Sequence, residues 1–267
     1  MKIEVFQTES KILNKTMVFR VMTPDGYELG DKNYPVLYMQ DGQDLFYDED
    51  AVDGESVRYA EYYRMFSRYL PKIIIVGIDC PMNNAERTAL YTPYTKDFDV
   101  PEGVNFEKHI EGKGKEYLEF IVEELKPWID SRFNTRPQRD YTAIGGFSSG
   151  AVVSAYALLT YPRVFSRMIS LSGAFYIWMD KIEQTMEESD LDHVKYIYLS
   201  VGMNELGRYT TAEQFLEGSK QFYQTLSGYG FDDSHVCLRI MENESGHTHA
   251  ILRNRLPDAI RWIYQDL

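Results

Sequence analysis

The chain is short of several things, and each shortage removes a class of protein. Across 267 residues there are only 2 cysteines, too few for the disulfide framework of a small secreted scaffold. Both Cys80 and Cys237 fall inside apolar, strand-like runs, where a reduced buried thiol is the expected state and a single disulfide the alternative. No stretch approaches the ~20 consecutive apolar residues of a membrane-spanning helix, and Met1 to Glu9 hold no apolar signal core, so a cytoplasmic location is expected. Basic residues number 28 against 41 acidic ones, for a net charge of -13. Nucleic acids and anionic membrane surfaces are bound through basic patches, so neither is expected as a partner. No repeat, low-complexity run or Pro/Gly/Ser linker divides the sequence, which reads as one domain over residues 1–267.

What the chain does have is apolar runs alternating with helical stripes. Residues 10–22 alternate as a strand, with Met17, Phe19 and Val21 on one face, before the turn signal Thr23-Pro24-Asp25-Gly26. Residues 34–39, 73–79, 165–171, 196–201 and 236–241 read as further strands, several of them apolar on both faces. Helical spacing runs through 48–70, 115–131 and 249–266, and Thr210/Thr211 with Glu213 and Gln214 signals another helix start. The long irregular stretch 81–112 and the acid-rich stretch 174–194 read as rim or lid segments. This alternation predicts an α/β fold, a mostly parallel central sheet with helices on both faces. Chemistry in such sheets sits at the carboxyl ends of the strands.

The most informative stretch is Gly146-Phe147-Ser148-Ser149-Gly150, between the strand-like Tyr141-Thr142-Ala143-Ile144 and the apolar Ala151-Val152-Val153. Strand, sharp turn and helix are the context in which a G-x-S-x-G pattern presents a nucleophilic serine. Small residues let strand and helix pass closely while the serine backbone is held strained. The bare pattern arises by chance in about one chain in ten of this length, so its partners decide the reading.

A serine hydroxyl needs a base to take its proton, and the base needs an acid to hold it. After Ser148, Glu205 and His247 stand directly after predicted strands, in the order serine, acid, histidine. His249 is the other candidate base, and Asp190, Asp192, Asp232 and Asp233 are other candidate acids. His247-Thr248-His249 with Glu244 could instead hold a metal, but no further ligand has evident spacing, so no metal and no organic cofactor are expected. The polar turn Gln40-Asp41-Gly42-Gln43-Asp44 ends a predicted strand, and the Gln43 and Ser149 amides are the candidate oxyanion donors. Tyr91, Tyr176 and Trp178, with Tyr94, are candidate pocket walls.

These residues carry a resemblance. Tyr34 through Phe46, Gly146 through Gly150, Tyr161-Pro162-Arg163-Val164-Phe165, Ser172-Gly173-Ala174-Phe175 and Gly246-His247 through Arg255-Leu256-Pro257 together resemble the esterase D type esterases. That group includes feruloyl and acetyl-xylan esterases, siderophore esterases and S-formylglutathione hydrolases. The resemblance implies an α/β-hydrolase fold, Ser148 as nucleophile, His247 as base, Glu205 as acid and an oxyanion donor after Gly42. Many relatives carry His at Gln40, Met at Ser149, Asp at Glu205 and Trp at Leu252; the departures at Gln40 and Leu252 bear on substrate preference, and the one at Glu205 leaves the mechanism possible because either carboxylate can orient the histidine. The resulting expectation is a serine carboxylesterase acting on a small or carbohydrate-linked ester, a small-molecule partner. An acyltransferase or peptidase with the same triad, or a non-catalytic binding module, are the alternatives. The sequence does not indicate an oligomeric state.

Overall fold

The computed structural model describes residues 1–30, 32–98, 108–207 and 210–267. In chain order its strands are β1 (Lys2–Ser10), β2 (Lys15–Thr23), β3 (Val36–Gln40), β4 (Ile74–Ile78), β5 (Lys96–Asp97), β6 (His109–Ile110), β7 (Thr142–Phe147), β8 (Arg167–Leu171), β9 (Tyr196–Asn204) and β10 (Val236–Ser245). Strands β5 and β6 form a separate ribbon, and the others form one eight-stranded sheet in the order β1-β2-β4-β3-β7-β8-β9-β10. The β1–β2 hairpin joins β4 antiparallel, and every pairing from β4 to β10 is parallel. The expected mostly parallel sheet is therefore present.

Side chains alternate across a strand, so a run that is apolar throughout feeds two cores. Val36, Tyr38, Ile74, Val76 and Ile78 enter one core, and Leu37, Met39, Ile73 and Ile75 enter the other. The helices are α1 (Tyr59–Phe66), α2 (Asn84–Leu90), α3 (Gly114–Glu119), α4 (Lys126–Arg132), α5 (Ser149–Thr160), α6 (Met179–Glu187), α7 (Ala212–Gly228) and α8 (Arg255–Ile263). Helices α3 to α7 supply Tyr117, Ile129, Val152, Ile182 and Phe222 to the first core. Helices α1 and α8 supply Tyr59, Tyr63, Leu256 and Ile260 to the second. Each fully buried side chain of this size contributes about 1.5–3 kcal/mol. Helix α5 is apolar on all sides because it lies inside the first core, with Ala151, Val152, Val153, Ala155 and Leu158 fully covered. Helices α3 and α4 continue one another through a wider π turn at Phe120–Leu125, just before Pro127, which has no amide hydrogen to give.

Several local expectations change. The sequence reading missed β1, a half-exposed edge strand whose register pairs Phe6 with Phe19, because it contains no continuous apolar run. The helix expected over 48–70 shrinks to α1. Upstream, the Asp48 carboxylate accepts from the Ser56 amide and hydroxyl at 2.9 Å and from Arg58 Nε at 2.8 Å, which closes a loop instead. Within 81–112 the described part contains α2, capped by the Asn83 side chain accepting from the Glu86 amide, while residues 99–107 lie outside the described residues. The stretch 174–194 contains α6, whose Ile182 and Met186 are core residues. The expected start of α7 is present as a capping box between Thr211 and Gln214. Both cysteines are free thiols. Among the described residues, no helix is long and apolar enough to cross a membrane.

Candidate active site

The carboxyl ends of five neighbouring parallel strands deliver the candidate residues to one edge of the sheet. Among the described residues, three of the five non-glycine positions with positive φ close such strands: Asp41 after β3 (φ 58), Ser148 after β7 (φ 57) and Ser172 after β8 (φ 50). Left-handed backbone costs an L-residue about 1–3 kcal/mol and persists only where its surroundings impose it.

At Ser148 the surroundings are explicit. Its amide donates to the Leu171 carbonyl at 3.0 Å, and its own carbonyl accepts from the Ala151 and Ala174 amides at 3.1 and 3.2 Å. The flanking glycines allow this turn. A Cβ on Gly146 would lie 2.5 Å from the Gly150 carbonyl carbon and 2.8 Å from Gln40 Cγ, and one on Gly150 would lie 3.0 Å from Gln40 Cβ. Strand β7 and helix α5 thus meet backbone to backbone, with the Gln40 side chain from the end of β3 packed against both glycines, and Ser148 is left partly exposed.

His247 follows β10 through Gly246, whose φ of 90 favours glycine. Its Nδ1 lies 3.1 Å from Glu205 Oε2. An ionised carboxylate can only accept, so Nδ1 carries the proton and Nε2 is the basic nitrogen. Nε2 is buried and has no hydrogen-bond partner among the described residues. The ring is held between Phe147, the neighbour of Ser148, and Phe215, each at a centroid distance of 4.3 Å.

Glu205 directly follows β9, and its side chain is 0% exposed. Oε1 accepts from Ser172 Oγ at 2.7 Å, from Arg255 Nη1 at 2.8 Å and from the Gly202 amide. All four donors address the ionised form. Burial pushes the carboxyl pKa up, but the His247 hydrogen bond, the Arg255 charge and the Ser172 hydroxyl outweigh it and hold the group below the usual glutamate range. Arg255 is itself 0% exposed, and its Nη1 also donates to Ser172 Oγ at 2.8 Å. Sequence reading gave Arg255 no role. A charged residue in an amphipathic helix reads as surface, and its partners lie 50 and 83 residues away.

For His247, burial is the largest influence and lowers its pKa, with the Arg87 and His249 charges acting in the same direction, and Glu205 only partly opposes them. A histidine acting as base must be neutral, so lowering its pKa extends activity toward acid. The acid limb of kcat/KM, measured from pH 4 to 8 with a non-titrating substrate, is expected to have its midpoint below the ordinary histidine value of about 6.5. A midpoint above that value would contradict the burial argument.

The turn after β3 is fixed from several sides. A Cβ on Gly42 would lie 2.3 Å from the Gly77 carbonyl carbon, so the turn sits directly on β4. The Asp44 and Leu45 amides donate to the Asp41 and Gly42 carbonyls at 2.9 and 3.3 Å, which leaves the Gln43 amide outside the turn's own hydrogen bonds. The Gln43 side chain grips Cys80 twice, donating to Sγ and accepting from its amide, both at 2.9 Å. Burial, with the nearby Asp41 charge, pushes the Cys80 thiol up to about 12. Ser149 opens α5, so its amide has no acceptor within the helix.

The aromatic candidates separate. Tyr91 is 1% exposed and Trp178 is 2% exposed, and both belong to the first core, so neither forms a solvent-facing wall. The Tyr91 hydroxyl accepts from the Asp41 amide at 3.1 Å. Trp178 packs against Tyr94 and Phe98, at 5.8 and 5.9 Å between centroids. Tyr176 is half-buried, bonded through its hydroxyl to Thr210, and its ring meets Phe215 edge-on at 5.7 Å, one ring removed from His247. The two histidines turn to different acids. His249 Nε2 lies 3.6 Å from Asp41 Oδ2, and its Nδ1 lies 4.0 Å from Asp44 Oδ2. Ligand atoms of Asp41, Asp44 and His249 all fall within 4.8 Å of one another, but Arg87 already occupies both Asp41 oxygens, at 2.8 and 2.7 Å.

The strand order and the turn at Ser148 define the chain as an α/β-hydrolase fold. Comparison with known proteins agrees. The model of the family described as "Putative esterase" matches residues 10–263, and the chain belongs to that esterase family. Among curated relatives, the uncharacterized protein YbbA of Bacillus subtilis is 26% identical over 249 residues, covering 92% of each chain. The siderophore enterobactin esterase of Emericella nidulans is 27% identical over 160 residues, which cover 57% of this chain and 50% of the relative. Among solved structures, an IroE-like serine hydrolase from Shewanella oneidensis superposes with a TM-score of 0.79 at 24% identity, over 99% of this chain and 81% of the other. A ferulic acid esterase gives a TM-score of 0.67 at 20% identity, over 98% of both chains.

Proposed function

We propose that the chain is a serine carboxylesterase working through an acyl-enzyme on Ser148. The observation that carries this reading is the buried Glu205–His247 hydrogen bond, with the basic Nε2 uncommitted and the ring packed against the residue preceding Ser148. In this reading Ser148 Oγ attacks the ester carbonyl as His247 Nε2 takes its proton, and Glu205 stabilises the imidazolium. The Gln43 and Ser149 amides receive the oxyanion. His247 then protonates the departing alcohol, and water, deprotonated by the same nitrogen, releases the acid. Chain residues supply every group, so no metal or cofactor enters. The free thiols of Cys80 and Cys237 suit a reducing, cytoplasmic setting.

The relatives and neighbours named for enterobactin and ferulic acid suggest that esters carrying aromatic groups belong in the substrate search. The test is a panel of p-nitrophenyl acetate and butyrate, methyl ferulate, an ester of N-(dihydroxybenzoyl)serine and an acyl thioester, offered to the purified chain with and without EDTA. Turnover of at least one ester, undiminished by EDTA, is expected. Silence across the panel would reject the proposal.

A further inference from the structure

Helix α2 and Tyr91, which caps its C-terminus, both hold a single residue of the turn proposed to bind the oxyanion. Arg87 donates from Nε to Asp41 Oδ1 at 2.8 Å and from Nη2 to Oδ2 at 2.7 Å, a bidentate fork. Tyr91, one helical turn further on, accepts the Asp41 amide hydrogen at 3.1 Å. The Arg87 guanidinium also lies over the Tyr91 ring, 4.8 Å from its centroid. Asp41 is therefore held by backbone and side chain from α2 and its C-cap, in a left-handed conformation (φ 58) that sets the direction of the amides following it. Asp41 is 1% exposed, so it sits in a low-dielectric setting where the fork geometry is worth more than at a surface. Burial pushes the Asp41 carboxyl up, but Arg87 holds it far below the usual aspartate range, and the pair stays ionised.

We propose that Arg87 is a positioning residue for ester hydrolysis: through Asp41 it aims the Gln43 amide at the oxyanion. This inference rests on the proposed esterase mechanism. It assigns part of the 81–112 stretch to holding the oxyanion turn. The alternative is an ordinary buried ion pair that contributes to stability alone.

The two roles differ in what they leave selectively impaired. A displacement of about 1 Å at a catalytic group can cost on the order of 100-fold in rate, and loss of one oxyanion donor costs about 100- to 1000-fold. Arg87→Lys keeps the charge but cannot form the fork, and Arg87→Ala removes both. In the full-length chain, kcat/KM for the best panel ester is expected to fall about tenfold in Arg87→Lys and about 100-fold in Arg87→Ala. The discriminating readout is a trifluoromethyl ketone analogue of that ester, whose tetrahedral adduct carries an oxyanion. Its inhibition constant should rise in parallel with the loss in kcat/KM, while that of the matching unreactive alcohol changes less than about twofold. Added guanidinium should restore part of the Arg87→Ala activity.

Folding is checked by circular dichroism and thermal melting. If Arg87→Ala does not fold, the lysine variant decides. Ketone and alcohol constants that move together, rates within about twofold of wild type, or loss of fold in both variants would each overturn the positioning role. An inactive wild-type chain would instead reject the esterase reading, and this inference with it.

Discussion

Replacing Ser148 with alanine is expected to lower kcat/KM by about 10⁴- to 10⁶-fold while leaving the fold intact. The size follows from the proposed chemistry: without Oγ the proposed acyl-enzyme cannot form, and what remains is binding and the pull of the proposed oxyanion donors on direct attack by water. The intact fold follows from the hydrogen bonds of the turn, which use the Ser148 amide and carbonyl, to Leu171, Ala151 and Ala174. The substitution keeps a Cβ, so the strained backbone stays as tolerable as before. Stability in urea should change by less than about 1 kcal/mol. A variant that unfolds, or one that keeps wild-type turnover, would remove Ser148 from the centre of the mechanism.

The second large effect belongs to Glu205→Gln. The amide oxygen can keep the Ser172, Gly202 and Arg255 hydrogen bonds, so the NH₂ group is turned toward His247 Nδ1. A donor there forces the imidazole proton onto Nε2, the nitrogen proposed as base. A wrong tautomer of this kind costs about 10⁴-fold in serine hydrolases. The substitution also removes the negative charge from the Glu205–Arg255 pair, both side chains of which are 0% exposed, and breaking a buried pair costs about 3 kcal/mol. Chemical denaturation and kcat should therefore both move. The sign of the pH effect is fixed as well: Glu205 raises the His247 pKa, so any residual activity should have its acid limb shifted further down. A wild-type rate in Glu205→Gln would point to one of the other acids.

The parts of this protein that were legible in the sequence are those set by local chemistry. The strand-turn-helix around Ser148 shows because three small residues within five positions have a steric purpose. The α7 start shows because a capping box is four residues long. The fully apolar strands announce a parallel sheet because both of their faces are covered. What stayed hidden depends on partners far along the chain. Arg255 reads as a helix-surface charge and Arg87 as part of an irregular rim until the fold closes them onto Glu205 and Asp41, 50 and 46 residues away. Tyr91 and Trp178 read as pocket walls because their surroundings look like loop, yet α2 and the chain before α6 carry both into the core. Strand β1 lacked a buried-strand signal because half of each alternating pair faces solvent. Position after a strand end gave Glu205 and His247 as candidates, but only the three-dimensional arrangement shows that they are hydrogen-bonded.

The measurement that bears most directly on Ser148 as nucleophile is covalent labelling of the folded chain with a fluorophosphonate, followed by intact mass and fragment-ion mass spectrometry. One adduct per chain is expected, located on Ser148 and not on Ser149 or Ser154, absent from heat-unfolded protein and from Ser148→Ala. No adduct on an ester-hydrolysing chain, or an adduct on any other residue, would contradict the account.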